Sequence, residues 1–251
     1  MTGLTALLKK EFKEQYRTHR FLIVGAVFAL FGIGAPLLLK LLPEIMKLSG
    51  ETALVQMPPP TAIEAFGQFA SMMGQLGVVV AVMVAMGAVA NELRHGTAVT
   101  TLSKPISRAA FVTAKLLAMS FTFLLALSVA ALLCFVYTTW LISGANASAF
   151  LQFNLLQGLF LVFCLAITVS FSCLFKSSLA AGGLAIAVII SVTIMSGLPI
   201  IGDYLPGKLL AWGASILSGP AQSYWWAMGV TVALTVVAVY LGQYALKTKE
   251  I

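Results

Sequence analysis

The sequence has few charged residues, and this scarcity decides the class of protein. Only 9% of its 251 residues are Asp, Glu, Lys or Arg, whereas soluble domains carry about 25%. Hydrophobic residues make up 60% of the chain, and the mean hydropathy is +1.01. This composition excludes an ordinary soluble domain and predicts an integral membrane protein.

Residues that support chemistry are also scarce. The three cysteines, Cys134, Cys164 and Cys173, lie in apolar stretches without C-x-x-C spacing, so we interpret them as buried apolar side chains. The chain contains no motif of a nucleotide-binding loop, a zinc protease or a serine hydrolase. We therefore predict that it is not an enzyme and holds no metal or cofactor of its own.

Long apolar stretches predict the fold. Only helices and closed barrels satisfy their backbone polar groups in lipid, and these stretches are too long for barrel strands of about 10 residues. We predict an all-α integral membrane protein in one domain, residues 1–251, with six transmembrane helices at 21–39, 65–90, 116–142, 150–175, 179–200 and 224–246. None of these spans contains Asp, Glu, Lys, Arg or His, which disfavours an ion-coupled pump.

The distribution of basic residues predicts the orientation. An even number of spans places both termini on one side, which holds all Lys and Arg residues except Lys40, Lys47 and Lys208. The positive-inside rule then predicts cytoplasmic termini, with residues 247–251 as a short tail, in a multi-pass protein of the cell (plasma) membrane. The net charge of +7 reflects this topology, and no basic-aromatic module indicates a nucleic-acid partner.

Residues 1–20 predict an amphipathic helix on the inner surface of the membrane. Apolar side chains recur there at helical spacing, and charged side chains occupy the other faces. The apolar set is Leu4, Leu7, Leu8, Phe12 and Tyr16, and the charged set is Lys9, Lys10, Lys13, Glu14 and Arg17. The helix is a membrane anchor or an elbow that also touches a cytoplasmic partner, and the two roles are compatible.

The start of the second span is marked by local signals. We predict a loop from about Leu42 to Pro60, because it ends in three consecutive prolines, which cannot continue a helix. Thr61 and Glu64 have the spacing of a capping box, so the second span is expected to begin near Ala62.

Two patterns lie inside the second span. Gln68, Ser71 and Gln75 share one helical face, where they either line a translocation path or form hydrogen bonds with a neighbouring helix. Small residues repeat from Gly77 to Ala88, and again from Ala180 to Gly183 in a later span, which makes both runs candidates for a dimer interface.

Residues 91–108, NELRHGTAVTTLSKPISR, form a strongly polar interruption between apolar stretches. Arg94 suits the carbonyl end of a helix dipole, and Gly96 can take the left-handed position that ends a helix. The segment from Thr97 to Ser103 is long enough for about two helical turns before Pro105, and Ser107 can cap the third span. The sequence thus predicts a short cytoplasmic helix between spans two and three.

The segment before the last span, 201–223, has an apolar core that is too short to cross a bilayer. Turn residues flank this core at Leu205 to Gly207 and at Gly219 and Pro220. We predict a re-entrant or interfacial hairpin on the extracellular side, with aromatic residues of an interfacial belt at Trp212, Tyr224, Trp225 and Trp226.

The polar loop resembles that of ABC-2 type exporter permeases, in which a glutamate is followed by G-T, a leucine-rich turn and P-x-S-R. The matching residues here are Glu92, Gly96, Thr97, Leu102, Pro105, Ser107 and Arg108. The resemblance also covers chain length, the six spans, the N-terminal helix and the external segment. Where the family has a leucine-rich turn, residues 98–102 are the more polar sequence AVTTL.

The resemblance implies the permease subunit of an ATP-driven exporter, similar to the permeases of multidrug, lipid or nitrous-oxide-reductase-maturation exporters. Loop 91–108 would carry the coupling helix that docks on separate cytoplasmic ABC ATPase subunits, which bind the ATP and Mg. A second permease copy or a paralogue would complete the path, among membrane lipids. Glu92 is expected to pair with the ATPase or to pin the loop, with Arg94 and Arg108 as alternative pairing or phospholipid-binding groups.

A second hypothesis comes from a different class of function. The chain could instead be a non-transporting membrane scaffold or sensor-associated subunit, whose loop recruits a cytoplasmic protein. Changes at Glu92 or within Thr97 to Ser103 separate the two hypotheses. They uncouple ATP hydrolysis from transport in a pump, whereas in a scaffold they abolish recruitment alone.

Overall fold

The computed structural model describes residues 3–48, 59–97, 107–142, 144–219 and 222–248. Within these ranges all regular secondary structure is helical, which confirms the predicted all-α fold. The α-helices are α1 Leu4–Arg17, α2 Arg20–Leu48, α3 Ala62–Met72, α4 Val78–Ala85, α5 Ala90–Arg94, α6 Arg108–Leu141, α7 Ala147–Leu174, α8 Ser178–Met195, α9 Lys208–Ser218 and α10 Trp225–Thr248. A π-helical turn, Met73–Gly77, joins α3 to α4, and a 3₁₀ turn, Gly202–Tyr204, precedes α9.

Six helical segments of the described chain are long and apolar enough to cross a membrane, as predicted. They are Arg20–Ile45, Ala62–Arg94, Arg108–Leu141, Ala147–Leu174, Ser178–Met195 and Trp225–Thr248. The third begins at Arg108, two turns before the predicted residue 116, because Ser107 caps it. The fifth ends at Met195, not at residue 200, because turns follow before the 3₁₀ segment.

The first span differs from its prediction at its C-terminal end. Helix α2 continues through Pro36 and Pro43 to Leu48, so the expectation of a loop from Leu42 was wrong as far as Leu48. Proline removes one backbone donor, but membrane helices tolerate it where neighbouring groups satisfy the freed carbonyl. Of the three prolines that were expected to break the helix, Pro58 lies outside the described residues, and Pro59 and Pro60 are not helical.

The second span begins where predicted. The Thr61 hydroxyl accepts a hydrogen bond from the Glu64 amide at 3.3 Å, and the Glu64 carboxylate accepts from the Thr61 amide at 2.9 Å. This reciprocal pair satisfies two backbone donors that a helix start leaves unpaired, so the capping box is confirmed.

Helix α7 lies at the centre of the bundle. It packs against α4, α6, α8, α9 and α10, and its buried share is the largest among the six spans. At one end, Phe66 of α3 stacks on Phe150 of α7 with ring centroids 4.1 Å apart. Helix α9 also packs here, because Gly213 leaves room for the ring of Phe153. In the segment predicted to be a re-entrant or interfacial hairpin, the structure thus has a 3₁₀ turn and one helix, α9, which packs on the bundle.

Helices α2 and α6 run side by side and touch at Gly32. A Cβ atom on Gly32 would overlap the backbone carbonyl of Ala130 in α6. We expect Gly32→Ala to lower the free energy of unfolding by about 1–3 kcal/mol, because the backbone of α6 must move. Denaturant titration in detergent measures the change. The matched control is Gly34→Ala in the same helix, where a Cβ meets no atom within 4 Å; equal stability of the two variants would contradict the close approach.

Candidate functional site

The polar loop between spans two and three is described at both of its ends. Helix α5 ends at Arg94, and Gly96 follows with a φ of 72°, which confirms the predicted left-handed position. At the other end, the Ser107 hydroxyl accepts from the Ala110 amide at 3.2 Å, which confirms the cap. Leu102, Pro105 and all of the predicted short helix except Thr97 lie outside the described residues.

Glu92 is held by lysines of the same chain. Its Oε1 atom lies 2.6 Å from Nζ of Lys115 and 3.3 Å from Nζ of Lys10. Lys115 in α6 is only 2% exposed, and it also donates to both carboxylate oxygens of Glu11 in α1, at 3.0 and 3.1 Å. We name Glu11, Glu92, Lys10 and Lys115 the charge cluster. It joins α1, α5 and α6 at the base of the loop.

The carboxylates of the charge cluster are neutralised by the two lysines of the same cluster. The carboxylates of Glu11, Glu14 and Glu92 lie close enough together to hold a metal ion, but the Lys10 ammonium lies within 3.6 Å of all three. Burial lowers the pKa of Lys10, yet the negative charges of Glu11, Glu92 and Glu14 outweigh this effect and raise the pKa above its usual value. Lys10 therefore supplies a positive charge to all three carboxylates.

The second span is broken just before the loop. Helix α4 ends at Ala85 and α5 begins at Ala90, so the backbone between them leaves the regular helical pattern. The hydroxyl of Ser172, in α7, accepts from the amides of Val89 at 3.0 Å and Ala90 at 2.9 Å, and it donates to the Met86 carbonyl at 2.8 Å. One buried side chain thus satisfies three backbone groups at the break.

Arg108 links the other end of the loop to the last helix. Its guanidinium donates to the carbonyls of Leu246 at 2.5 Å and Lys247 at 3.1 Å, near the end of α10. A cation at this position donates hydrogen bonds to the terminal carbonyls and interacts favourably with the negative end of the helix dipole. Arg94 is exposed. Of the two arginines proposed for partner or lipid contacts, Arg108 therefore has a role within the chain.

The predicted polar face of the second span is uncovered. Gln68, Ser71 and Gln75 are all exposed, and the Gln75 amide donates to the Ser71 hydroxyl at 3.1 Å. Gln75 belongs to the π-helical turn, a feature that often marks functional sites. It also borders a cavity of about 290 Å³, on whose far side lie Ile190 and Thr193 of α8. The polar face is thus not covered by the described part of the chain.

Comparison with known proteins identifies the family. A family model described as ABC-2 family transporter protein matches residues 5–211. The chain belongs to this family. It is also similar to an uncharacterized transmembrane protein, YxlG, of Bacillus subtilis (strain 168), with 24% identity over 247 residues and 96% of each chain covered.

Membership of the ABC-2 family makes the protein the membrane subunit of a transporter, of a kind that typically works with ABC ATPases. The loop that carried the resemblance lies inside the matched region, as does the charge cluster. Sequence reasoning selected Glu92 in this ABC-2 permease but missed its partners Lys10 and Lys115, and Glu11, which pairs with the same two lysines. Glu11 gave a signal, since it follows Leu4 and Leu7 on one helical face, where a solvated charge is unexpected.

Proposed function

We propose that this permease is the membrane subunit of an ATP-driven exporter and that loop 91–108 docks on a cytoplasmic ATPase. The charge cluster is the observation that supports this proposal best. Glu92 follows the break in span two and is bound to Lys115 of span three and, through it, to Glu11 of α1. A push on the loop would therefore move three helices together.

Both ends of the loop have fixed connections, which supports a mechanical role. Glu92 connects the first end to α1 and α6, and Arg108 connects the second end to α10. The break at residues 86–89 lies between this base and the rest of span two. In the proposed mechanism, closure of the ATPase subunits tilts helix α5 and the charge cluster relative to α4. The chain bends at the break, where Ser172 of α7 holds the backbone in place.

The path would form between two permease copies, or between this chain and a paralogue. An amide or hydroxyl that faces lipid lacks partners, so the exposed face of Gln68, Ser71 and Gln75 favours a wet or protein-covered surface. These groups are uncharged, which favours an amphipathic or lipidic cargo.

The small residues expected at a dimer interface are used differently by the fold. Gly77, Ala81, Ala85 and Ala88 are buried within the chain, so this run is not available to a partner. On α8, Gly182 packs against Met86, whereas Ala180, Gly183 and Ala187 are exposed at helical spacing. The exposed face of α8 is therefore the better surface for a second permease.

Replacing the loop tests this proposal. The chain is purified in mild detergent from its own host, and co-purifying proteins are identified by mass spectrometry. We expect a P-loop ATPase with the natural chain and its loss when residues 97–103 are replaced by a Gly-Ser segment of equal length. The control replaces residues 49–55, in the predicted external loop, in the same way. An ATPase that stays bound to the loop variant would refute docking, and a different cytoplasmic protein in its place would favour the scaffold.

A further inference from the structure

Helix α1 exposes a stripe of three basic residues. Lys9, Lys13 and Arg17 lie four residues apart, and all three are exposed; we name them the basic stripe. They border a groove of about 590 Å³ along the helix. Beside the stripe, Phe12 is 38% exposed and Tyr16 is 75% exposed. One side of this helix therefore combines cations with bare aromatic rings.

The charges of the basic stripe are not neutralised by the described part of the chain. Lys10, one residue away, has three carboxylate partners, whereas no ion pair among the described residues involves Lys9, Lys13 or Arg17. Three positive charges at helical spacing form an anion-attracting surface. The groove beside them contains one acidic side chain, Glu14, which already pairs with Lys10.

The stripe is fixed in place by the opposite face of α1. Glu11 is bound to Lys115, and the Gln15 side chain accepts a hydrogen bond from the Thr122 hydroxyl. Both residues of α1 are buried against α6. Because these contacts hold the rotation of the helix, Lys9, Lys13 and Arg17 cannot turn towards the protein.

The position of α1 relative to the membrane can be estimated from the α6 residues that it contacts. Tyr137 and the 79% exposed Trp140 form an aromatic pair near one end of α6, as at a membrane interface. A hydrocarbon core of about 20 helical residues then ends near residue 117 to 120. Phe12 contacts Phe121 edge-on, with ring centroids 5.3 Å apart. Phe12 thus lies at the hydrocarbon boundary, and the basic stripe beside it lies at the level of the lipid headgroups.

We propose that the basic stripe binds the phosphate groups of anionic phospholipids in the leaflet on the side of the chain termini. Phe12 and Tyr16 insert beside the upper acyl chains, and Lys9, Lys13 and Arg17 contact the headgroups. Basic clusters on interfacial helices are attracted to anionic leaflets in this way. The lipid would then brace α1, and through Glu11 and Lys115 it would stabilise the base of the loop. Lipid binding does not depend on the ATPase that we propose as a partner.

Native mass spectrometry of the full chain in detergent tests this proposal. Phosphatidylglycerol and phosphatidylcholine with the same acyl chains are the probes, and inorganic phosphate is added as a competitor. We expect a preference for phosphatidylglycerol of at least about tenfold, which the triple variant Lys9→Gln, Lys13→Gln, Arg17→Gln loses. The variant Lys9→Arg, Lys13→Arg retains the charge and is expected to retain the preference.

The control removes the same number of charges elsewhere, at the exposed Lys40, Lys176 and Lys247. An equal loss of preference in this control would show that net charge alone attracts the lipid, which overturns the proposal. Displacement of the lipid by millimolar phosphate would indicate a simple anion site, and unchanged selectivity in the triple variant would exclude the stripe. If the triple variant keeps its lipid preference but loses a co-purifying ATPase, the stripe is a protein-docking surface and the proposal fails.

Discussion

Lys115→Met is expected to lower the free energy of unfolding by about 3–5 kcal/mol, because it leaves buried carboxylates without their main cation. Glu11 is 4% exposed and has Lys115 as a partner for both oxygens. Glu92 loses its shortest ion pair, at 2.6 Å. Lys10 remains 3.3 Å from both carboxylates, but its own side chain is 42% exposed and its contribution is screened by water.

Two variants sharpen this experiment, in which unfolding is followed in detergent by denaturant titration. Lys10→Met removes a cation from the same cluster and is expected to cost less than about 1 kcal/mol, because the ion pairs of an exposed side chain are weak. Combining Lys115→Met with Glu11→Gln and Glu92→Gln removes the uncompensated charges and should restore most of the lost stability. Equal losses for Lys115→Met and Lys10→Met would contradict the larger contribution that we assign to the buried lysine, and unchanged stability in both variants would show that the charge cluster does not stabilise the fold.

Ser172→Ala is expected to loosen the base of the second span. The change leaves the amides of Val89 and Ala90 and the carbonyl of Met86 without their hydroxyl partner in the protein interior. Each unsatisfied buried group costs about 1–3 kcal/mol. We expect amide hydrogen exchange of residues 86–94 to rise at least about tenfold, since local opening no longer breaks these bonds. Under the proposed coupling to an ATPase, we expect less transport for each ATP hydrolysed.

Ser170→Ala is the matched control for this variant. Ser170 lies two residues away on the same helix, is buried, and donates to the carbonyls of Ala166 and Ala238, away from the break. Its replacement should leave exchange at residues 86–94 unchanged, whereas Ser172→Thr, which keeps the hydroxyl, should restore protection. Exchange in Ser172→Ala that matches the natural chain would mean that the hydroxyl does not hold the break closed.

Features that depend on neighbouring residues could be predicted from the sequence. The capping box of Thr61 and Glu64, the Ser107 cap and the left-handed Gly96 each involve residues within three positions of one another. Their geometry follows from local backbone chemistry, so spacing is sufficient. The six spans were predictable for a similar reason, because crossing a bilayer requires a continuous apolar length.

Features that depend on distant residues could not be predicted in this way. The Glu11–Lys115 pair is separated by 104 positions, Ser172–Val89 by 83, and Arg108–Leu246 by 138. The break before α5 lies in a run of small and apolar residues that contains no proline, and its hydrogen-bond partner belongs to another helix. Conversely, the sequence predicted a loop from Leu42, but helix α2 continues to Leu48. Tertiary contacts decided these cases.

The positions of the aromatic residues have a consequence for spectroscopy. Trp140 lies near the end of α6, 25 residues beyond Lys115, or about 38 Å along the helix. Trp212 and Trp225 contact each other edge-on at 5.2 Å, and Trp226 follows directly. No described tryptophan adjoins the charge cluster, and these four are all that the chain has. Tryptophan fluorescence therefore reports on parts of the bundle that are distant from the loop. A change in this fluorescence when a protein binds to the loop would show that binding alters the structure at a distance.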